Sequence, residues 1–156
     1  MKERIRIYLI ALIIFTIDIV TKALIFSNGN ILYQKTIIKD FFYLVSTTNT
    51  GGAFSLFSNY TWILVIISLA FLVYVDRFII KKDIKKINII SIGFLVGGIL
   101  GNLADRIFRG EVIDFFKFII FNWHAPIFNV ADIFIVVGVI LLIVDTIWGD
   151  KKWNSK

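Results

Sequence analysis

Five aspartates stand in or beside strongly apolar stretches of this chain: Asp18, Asp105, Asp114, Asp132 and Asp145. A charge at the centre of a membrane helix costs about 2.5–3.5 kcal/mol on insertion scales, so each of these acids needs a reason to be there. Two of them recur in one local pattern, Asn102-Leu103-Ala104-Asp105 and Asn129-Val130-Ala131-Asp132. Residues three apart share a helical face, so each pair can present an amide and a carboxylate to the same cavity. The same residue types also cap helices, and an acid suits a helix N-terminus. Two carboxylates close together in a poorly solvated cleft cannot both ionise cheaply, and they hold one proton between them. Such a pair is a base and an acid at once. The ionised member takes a proton from a bound water, and the protonated member steadies the carbonyl oxygen that the water attacks.

Other polar side chains are weighed against that chemistry. Asp18 and Lys22 are spaced i, i+4 with the acid first, the favoured order for an intrahelical ion pair, and mutual neutralisation is their expected role. Arg106 and Arg109 follow Asp105. Both read as solvent-facing anchors, and Arg106 reads equally as a forked donor to a substrate carbonyl or a carboxylate. His124 lies in Asn122-Trp123-His124-Ala125-Pro126, with no Gly-x-Ser-x-Gly elbow in the chain to make it part of a triad, and is expected at an interface. Asp145, near Trp148 and Lys151, is expected to be interfacial. With no cysteine and a single histidine, thiolate chemistry is excluded and a zinc site or other metal is not expected.

These residues must be positioned by elements that suit a membrane. Of the 156 residues, 58% are hydrophobic and 18% charged, more apolar surface than a soluble core of this size could bury. Four windows approach the roughly 20 apolar residues a spanning helix needs: about 5–26, 60–75, 87–103 and 128–148. The first follows Lys2, Arg4 and Arg6 but exceeds a signal-peptide core in length and lacks an Ala-x-Ala site, so it is expected to be retained. Between the first two windows, Ile31-Leu32-Tyr33 and Phe41 to Val45 predict short strands and a small extracytoplasmic sheet. The stretch from Ala104 to Ile127 reads as an interfacial connection. One domain, 1–156, is expected, with no repeat or linker.

The net charge of +6 sits in clusters at the ends of apolar runs, which speaks against nucleic acid and for topology. The N-terminus, the 77–86 loop and the tail carry eleven Lys and Arg; the opposite side carries five: Lys35, Lys39, Arg106, Arg109 and Lys117. Both termini are therefore expected to be cytoplasmic, with Asp105, Asp114 and Asp132 together at the outer face. Trp62, Trp123 and Trp148 fall near helix ends, as an aromatic belt requires. A transporter would spread its acids through the bilayer depth, and a scaffold would not need them at all.

Four blocks resemble the lipoprotein signal peptidases, the type II signal peptidases of bacteria: Asp18-Ile19-Val20-Thr21-Lys22, Asn49-Thr50-Gly51-Gly52-Ala53-Phe54-Ser55, Gly97 through Asn102-Leu103-Ala104-Asp105-Arg106, and Val112-Ile113-Asp114-Phe115 with Phe128-Asn129-Val130-Ala131-Asp132. The resemblance implies an aspartic endopeptidase of the cell membrane that cuts prolipoproteins just before the lipid-modified cysteine and is blocked by the cyclic peptide globomycin. It implies that Asp114 and Asp132 are the catalytic pair, selecting Asp114 over Asp105. It also implies that Asn49, Asn102, Asp105, Arg106 and Asn129 line or bind at the site, and that no cofactor is used. Its partners would be lipidated prolipoproteins and membrane lipids.

Overall fold

In a computed structural model, residues 2–26, 34–52, 57–79 and 86–149 are described. The order of elements is α1 (Lys2–Phe26), β1 (Gln34–Ile38), β2 (Phe42–Asn49), α2 (Thr61–Tyr74, prolonged by a π-helical turn Val75–Ile79), α3 (Lys86–Arg109), β3 (Val112–Ile120), β4 (Trp123–His124) and α4 (Val130–Gly149).

Among the described residues three helices are long and apolar enough to cross a membrane: Lys2–Phe26, Asn88–Arg109 and Val130–Ile147. They are not equivalent. The apolar window of α3 is 67% buried, against 22% for α1 and 17% for α4, so α3 is the centre against which the other two pack. The buried residues of α1, namely Ile7, Ala11, Ile14, Asp18 and Lys22, recur every three or four positions and form one stripe. Ile5, Leu9, Leu12, Ile13, Val20 and Leu24 face outward from it, as a helix solvated by hydrocarbon requires. α2 is only 14 residues long, which a strongly apolar composition alone does not turn into a span.

Close packing of α3 depends on small residues. A β-carbon on Gly97 would fall 2.7 Å from the Ala11 carbonyl oxygen, and one on Gly98 would fall 2.5 Å from that of Ala131. Where lipid removes the hydrophobic drive between helices, such backbone approach supplies the contact energy.

The four strands form one antiparallel sheet in the order β1-β2-β3-β4. β2 and β3 pair from Phe42↔Phe118 to Asn49↔Val112, with a bulge between Leu44 and Thr47. The bulge places Val45 and Ser46 side by side in the interior, although strand alternation would send one of them out. Phe118 stacks between Phe42 at 4.6 Å and Phe128 at 5.8 Å, which ties the sheet to the chain entering α4.

Three of the four expected spans are therefore helices of spanning length, the second expected window holds the shorter α2, and two further differences from expectation appear. α3 runs on to Arg109, so Asp105 and Arg106 lie within its last turns instead of at or beyond its end. The connection after it is not a simple interfacial segment: it contains β3 and β4, so half of the sheet comes from between α3 and α4. The predicted strand at Ile31–Tyr33 lies outside the described residues, as do the tail lysines and the Trp148 side chain. Trp62 and Trp123 are exposed, at 61% and 58%.

Candidate active site

The polar end of the α1 stripe meets the last turns of α3, the start of β3 and the first turn of α4. Lys22, only 1% exposed, has three acceptors for its three donors: Asp18 Oδ2 at 2.7 Å, Asp105 Oδ2 at 2.9 Å and Asn102 Oδ1 at 3.0 Å. The i, i+4 pair expected from sequence is thus one edge of a larger network. Asp105 Oδ1 pairs with Arg109 Nε at 3.3 Å, and Asp105 Oδ2 also accepts the Ile113 backbone amide at 3.3 Å, which holds the beginning of β3 against α3. Asp18 Oδ1 accepts the Ala131 amide at 2.9 Å, an otherwise orphan donor in the first turn of α4. Two acids and a lysine inside a membrane protein are tolerable because the ammonium lies within 3 Å of both carboxylates and each acid also accepts a backbone amide.

Asn129 is the N-cap of α4 and Asp132 its third residue. The Asn129 side-chain oxygen accepts the Asp132 amide at 3.0 Å, and Asp132 Oδ2 accepts the Asn129 amide at 3.1 Å, a reciprocal capping box. Capping was one of two readings for this motif, and the structure adds the other. Asp132 Oδ1 still faces inward, where Asn102 Nδ2 donates to it at 2.8 Å, and Asn129 Nδ2 donates to Asp114 Oδ1 at 2.7 Å.

Asp114 reaches the same place from β3. Positions 112 to 115 of that strand are all buried: Ile113 and Phe115 pack into an apolar cluster with Val130, and Asp114 projects from the opposite face. At the end of β2, Asn49 Nδ2 donates to Asp114 Oδ2 at 3.2 Å, while Asn49 Oδ1 accepts the Gly51 amide at 2.9 Å in an Asx turn. Burial, and then the charge of Asp132, push the Asp114 carboxyl up to about 7; the hydrogen bonds from Asn49 and Asn129 oppose that rise.

Arg106 donates through Nη2 to the Gly51 carbonyl at 2.9 Å, so it fastens the Asn49 turn to α3. Thr61 secures the same turn from α2 through its hydroxyl on the Thr50 carbonyl at 2.9 Å. Asp114, Asp132, Asn49, Asn102 and Arg106 open into one cleft of about 750 Å³. Its other wall is apolar, formed by Pro126, Ile127, Phe128, Ile133 and Val136. The cleft thus has a polar floor and an apolar side, the make-up of a site that binds a largely apolar ligand and orients it through a few polar groups.

Of the seven residues expected at the site, Asn49, Asn102, Arg106, Asp114 and Asp132 line the cleft, whereas Asn129 and Asp105 are buried and do not line it: Asn129 hydrogen-bonds Asp114, Asp132 and Asn102, and Asp105 joins Asp18 in the Lys22 network. His124 is exposed on β4 and does not line the cleft. Thr47 and Thr48 do line it and were not singled out from sequence; only their place before Asn49 on a strand could have suggested them. Gly101 stands on α3 beside Asp18. Its missing side chain makes room for Asp18, whose Oδ2 lies 2.4 Å from where a β-carbon would be. Among the described residues no three His, Asp or Glu side chains are grouped so as to hold a metal ion. Ala53, Phe54 and Ser55 of the second sequence block lie outside the described residues.

The family model described as Signal peptidase (SPase) II matches residues 10–148 of the chain. Two solved structures, both titled bacterial membrane enzyme structures obtained by the in meso method, are similar in fold and sequence. The first, at 2.3 Å resolution, has a TM-score of 0.85 and 34% identity over 95% of this chain and 90% of its own. The second, at 1.9 Å, has a TM-score of 0.80 and 34% identity over 90% of this chain and 91% of its own.

Proposed function

The chain belongs to the signal peptidase II family, and on that premise we propose that it cuts prolipoproteins just before the diacylglyceryl-modified cysteine, using Asp114 and Asp132 to activate water. The observation that carries this reading is that Asn129 touches both carboxylates at once, with its side-chain amide on Asp114 at 2.7 Å and its backbone amide on Asp132 at 3.1 Å. Two acids joined through one residue, both open to one cleft, are suited to share a proton and a water. One takes the water proton as the oxygen attacks the scissile carbonyl, and the other serves the carbonyl oxygen. Arg106 and Asn49 form the polar floor along which the substrate backbone lies, and the apolar wall receives the signal peptide.

Family and apolar helices together make this an integral membrane protein. On our reading it is a single domain with four spans, α2 being the fourth, both termini cytoplasmic and the cleft near the extracytoplasmic face of the bacterial cell membrane. The basic N-terminus, 77–86 loop and tail support that orientation. Because the chain has no cysteine, single cysteines placed at Lys2 and Lys117 report it directly through labelling by a membrane-impermeant thiol reagent.

The test of function is cleavage of a lipidated prolipoprotein by the purified protein, with and without globomycin. The wild type should cleave and the inhibitor should stop it. Asp114→Asn and Asp132→Asn should each lose at least about 1,000-fold in rate while remaining folded. Cleavage close to the wild-type rate by either variant would remove the dyad.

A further inference from the structure

The orientation of the Asn102 amide is set from behind the site. Lys22 has donors and no acceptor, so the atom of Asn102 that faces it must be oxygen. Asn129 Nδ2 donates to that same oxygen at 3.0 Å. Turning the amide over would press its NH2 against an ammonium and a second NH2 group. The Asn102 NH2 therefore has to face Asp132 Oδ1, at 2.8 Å, and the oxygen it meets has to accept.

The two carboxylates differ in what they receive. Asp132 takes one committed donor from Asn102 and one backbone amide, and it occupies the first turn of α4, where the helix dipole favours negative charge. Asp114 is on a strand and has no such end. One of its donors, Asn129 Nδ2, is also within reach of Asn102 Oδ1 and the Ile113 carbonyl, so two hydrogens serve three acceptors. Its other donor, from Asn49, is longer at 3.2 Å and is shared with the Gly52 carbonyl.

We infer that Lys22 is a positioning residue for the reaction: by fixing the Asn102 amide it holds Asp132 as the proton acceptor and leaves the resting proton on Asp114. This rests on the dyad proposed above and assigns its two roles. Water then loses one proton to Asp132 as its oxygen bonds to the scissile carbonyl carbon, and Asp114 gives its proton to the carbonyl oxygen. When the C–N bond breaks, the proton on Asp132 passes to the leaving amine, and Asp114 recovers its own from the gem-diol. The resting state is restored with one water consumed.

The charged groups around Lys22 are Asp18 on its own helix, Asp105, Arg106 and Arg109 on α3, Asp114 on β3 and Asp132 on α4. Lys22→Met removes the cation and frees Asn102 to turn. The expected result is a fall in kcat of about 100-fold, with KM for a lipidated prolipoprotein within about twofold, and an acid limb of the kcat profile displaced to higher pH. A residue that only holds the fold together would lower the amount of active enzyme and leave that limb in place. Should Lys22→Met fail to fold, the double variant Lys22→Met with Asp105→Asn removes one cation and one anion together, and the same displacement is expected in it. An acid limb that stays at its wild-type position in either folded variant overturns the role of Lys22.

The proton is located separately by infrared difference spectroscopy of the full-length protein near pH 6. Asp114→Asn should lose one carboxylic-acid C=O band relative to wild type, and an unchanged band intensity overturns the assignment. If either Asp114→Asn or Asp132→Asn still cleaves at close to the wild-type rate, it is the dyad that fails, an outcome distinct from these two.

Discussion

Asn129 and Asp132 cap each other, each accepting the other's backbone amide, and each still has a side-chain atom free to serve the cleft. Asn129 spends its oxygen on the helix and its NH2 on Asp114; Asp132 spends Oδ2 on the helix and keeps Oδ1 for Asn102. The geometry of the site is thus inherited from the geometry of a helix start. Asp18, accepting the Ala131 amide from α1, fixes the same turn in space.

Capping and chemistry at Asn129 can be separated by two substitutions. Serine caps as well as asparagine, whereas alanine does not cap, at a cost of about 1 kcal/mol. Neither carries the NH2 group that donates to Asp114. Asn129→Ser and Asn129→Ala are expected to lose kcat by the same factor, at least about 10-fold, with only the alanine variant showing the additional drop in melting temperature. Activity that follows melting temperature across the two variants would mean that Asn129 acts only through α4.

The rate should depend on pH through Asp114. With its carboxyl held at about 7 and acting in protonated form, kcat is expected to fall as pH rises through 7. Cleavage of a lipidated prolipoprotein at saturating concentration from pH 5 to pH 9 measures this. A rate that climbs across that range contradicts an acid role for Asp114.

Stability should depend on the same group, in a defined direction. The folded protein binds the Asp114 proton more tightly than the unfolded chain does, because burial raises its pKa from the ordinary aspartate range near 4 to about 7. Between those values the folded state carries the extra proton, so stability falls with rising pH, by up to about 1.4 kcal/mol per unit, and levels off above 7. Asp114→Asn abolishes this contribution. Wild type should therefore lose melting temperature relative to Asp114→Asn between pH 5 and pH 7.5, and parallel curves would count against the raised value.

Glycine substitutions distinguish crowding from backbone strain. Gly101→Ala would drive a methyl into Asp18 and disturb the Lys22 network, so both stability and activity are expected to fall, stability by about 1–3 kcal/mol. Gly110 has open space around it but a φ of +81°, so Gly110→Ala should cost about 1 kcal/mol and leave kcat unchanged. Thermal melting and a single cleavage assay on both variants decide it.

What could be read from sequence follows from how local each signal is. The apolar runs of α1, α3 and α4 declared themselves because lipid accepts little else over that length. Asp18 and Lys22 were four residues apart, and the Asn129 and Asp132 cap lay within one turn. β3 was missed because Val112–Ile120 is a short apolar run that looks alike as buried strand or interfacial segment, and its pairing partners, from Asn49 for Val112 to Phe42 for Phe118, are 63 to 76 residues away. The reach of Lys22 to Asn102, 80 residues on, is likewise a product of helix packing that no local pattern encodes. The prolongation of α3 to Arg109 was hidden for a related reason. Its polar last turns resemble the exit from a membrane, yet in the fold Asn102 and Asp105 turn inward to a polar interior.

Ile133 and Val136 line the cleft and are at the same time exposed on the outer side of α4, at 39% and 55%. On the function proposed above, a cleft with such a wall meets its substrate by diffusion in two dimensions. What the protein senses is then the mole fraction of prolipoprotein among the surrounding amphiphiles, not its concentration in the water. At a fixed molar amount of substrate, adding lipid or detergent dilutes the reaction, and expanding or crowding the membrane becomes a control on turnover that needs no change in the enzyme.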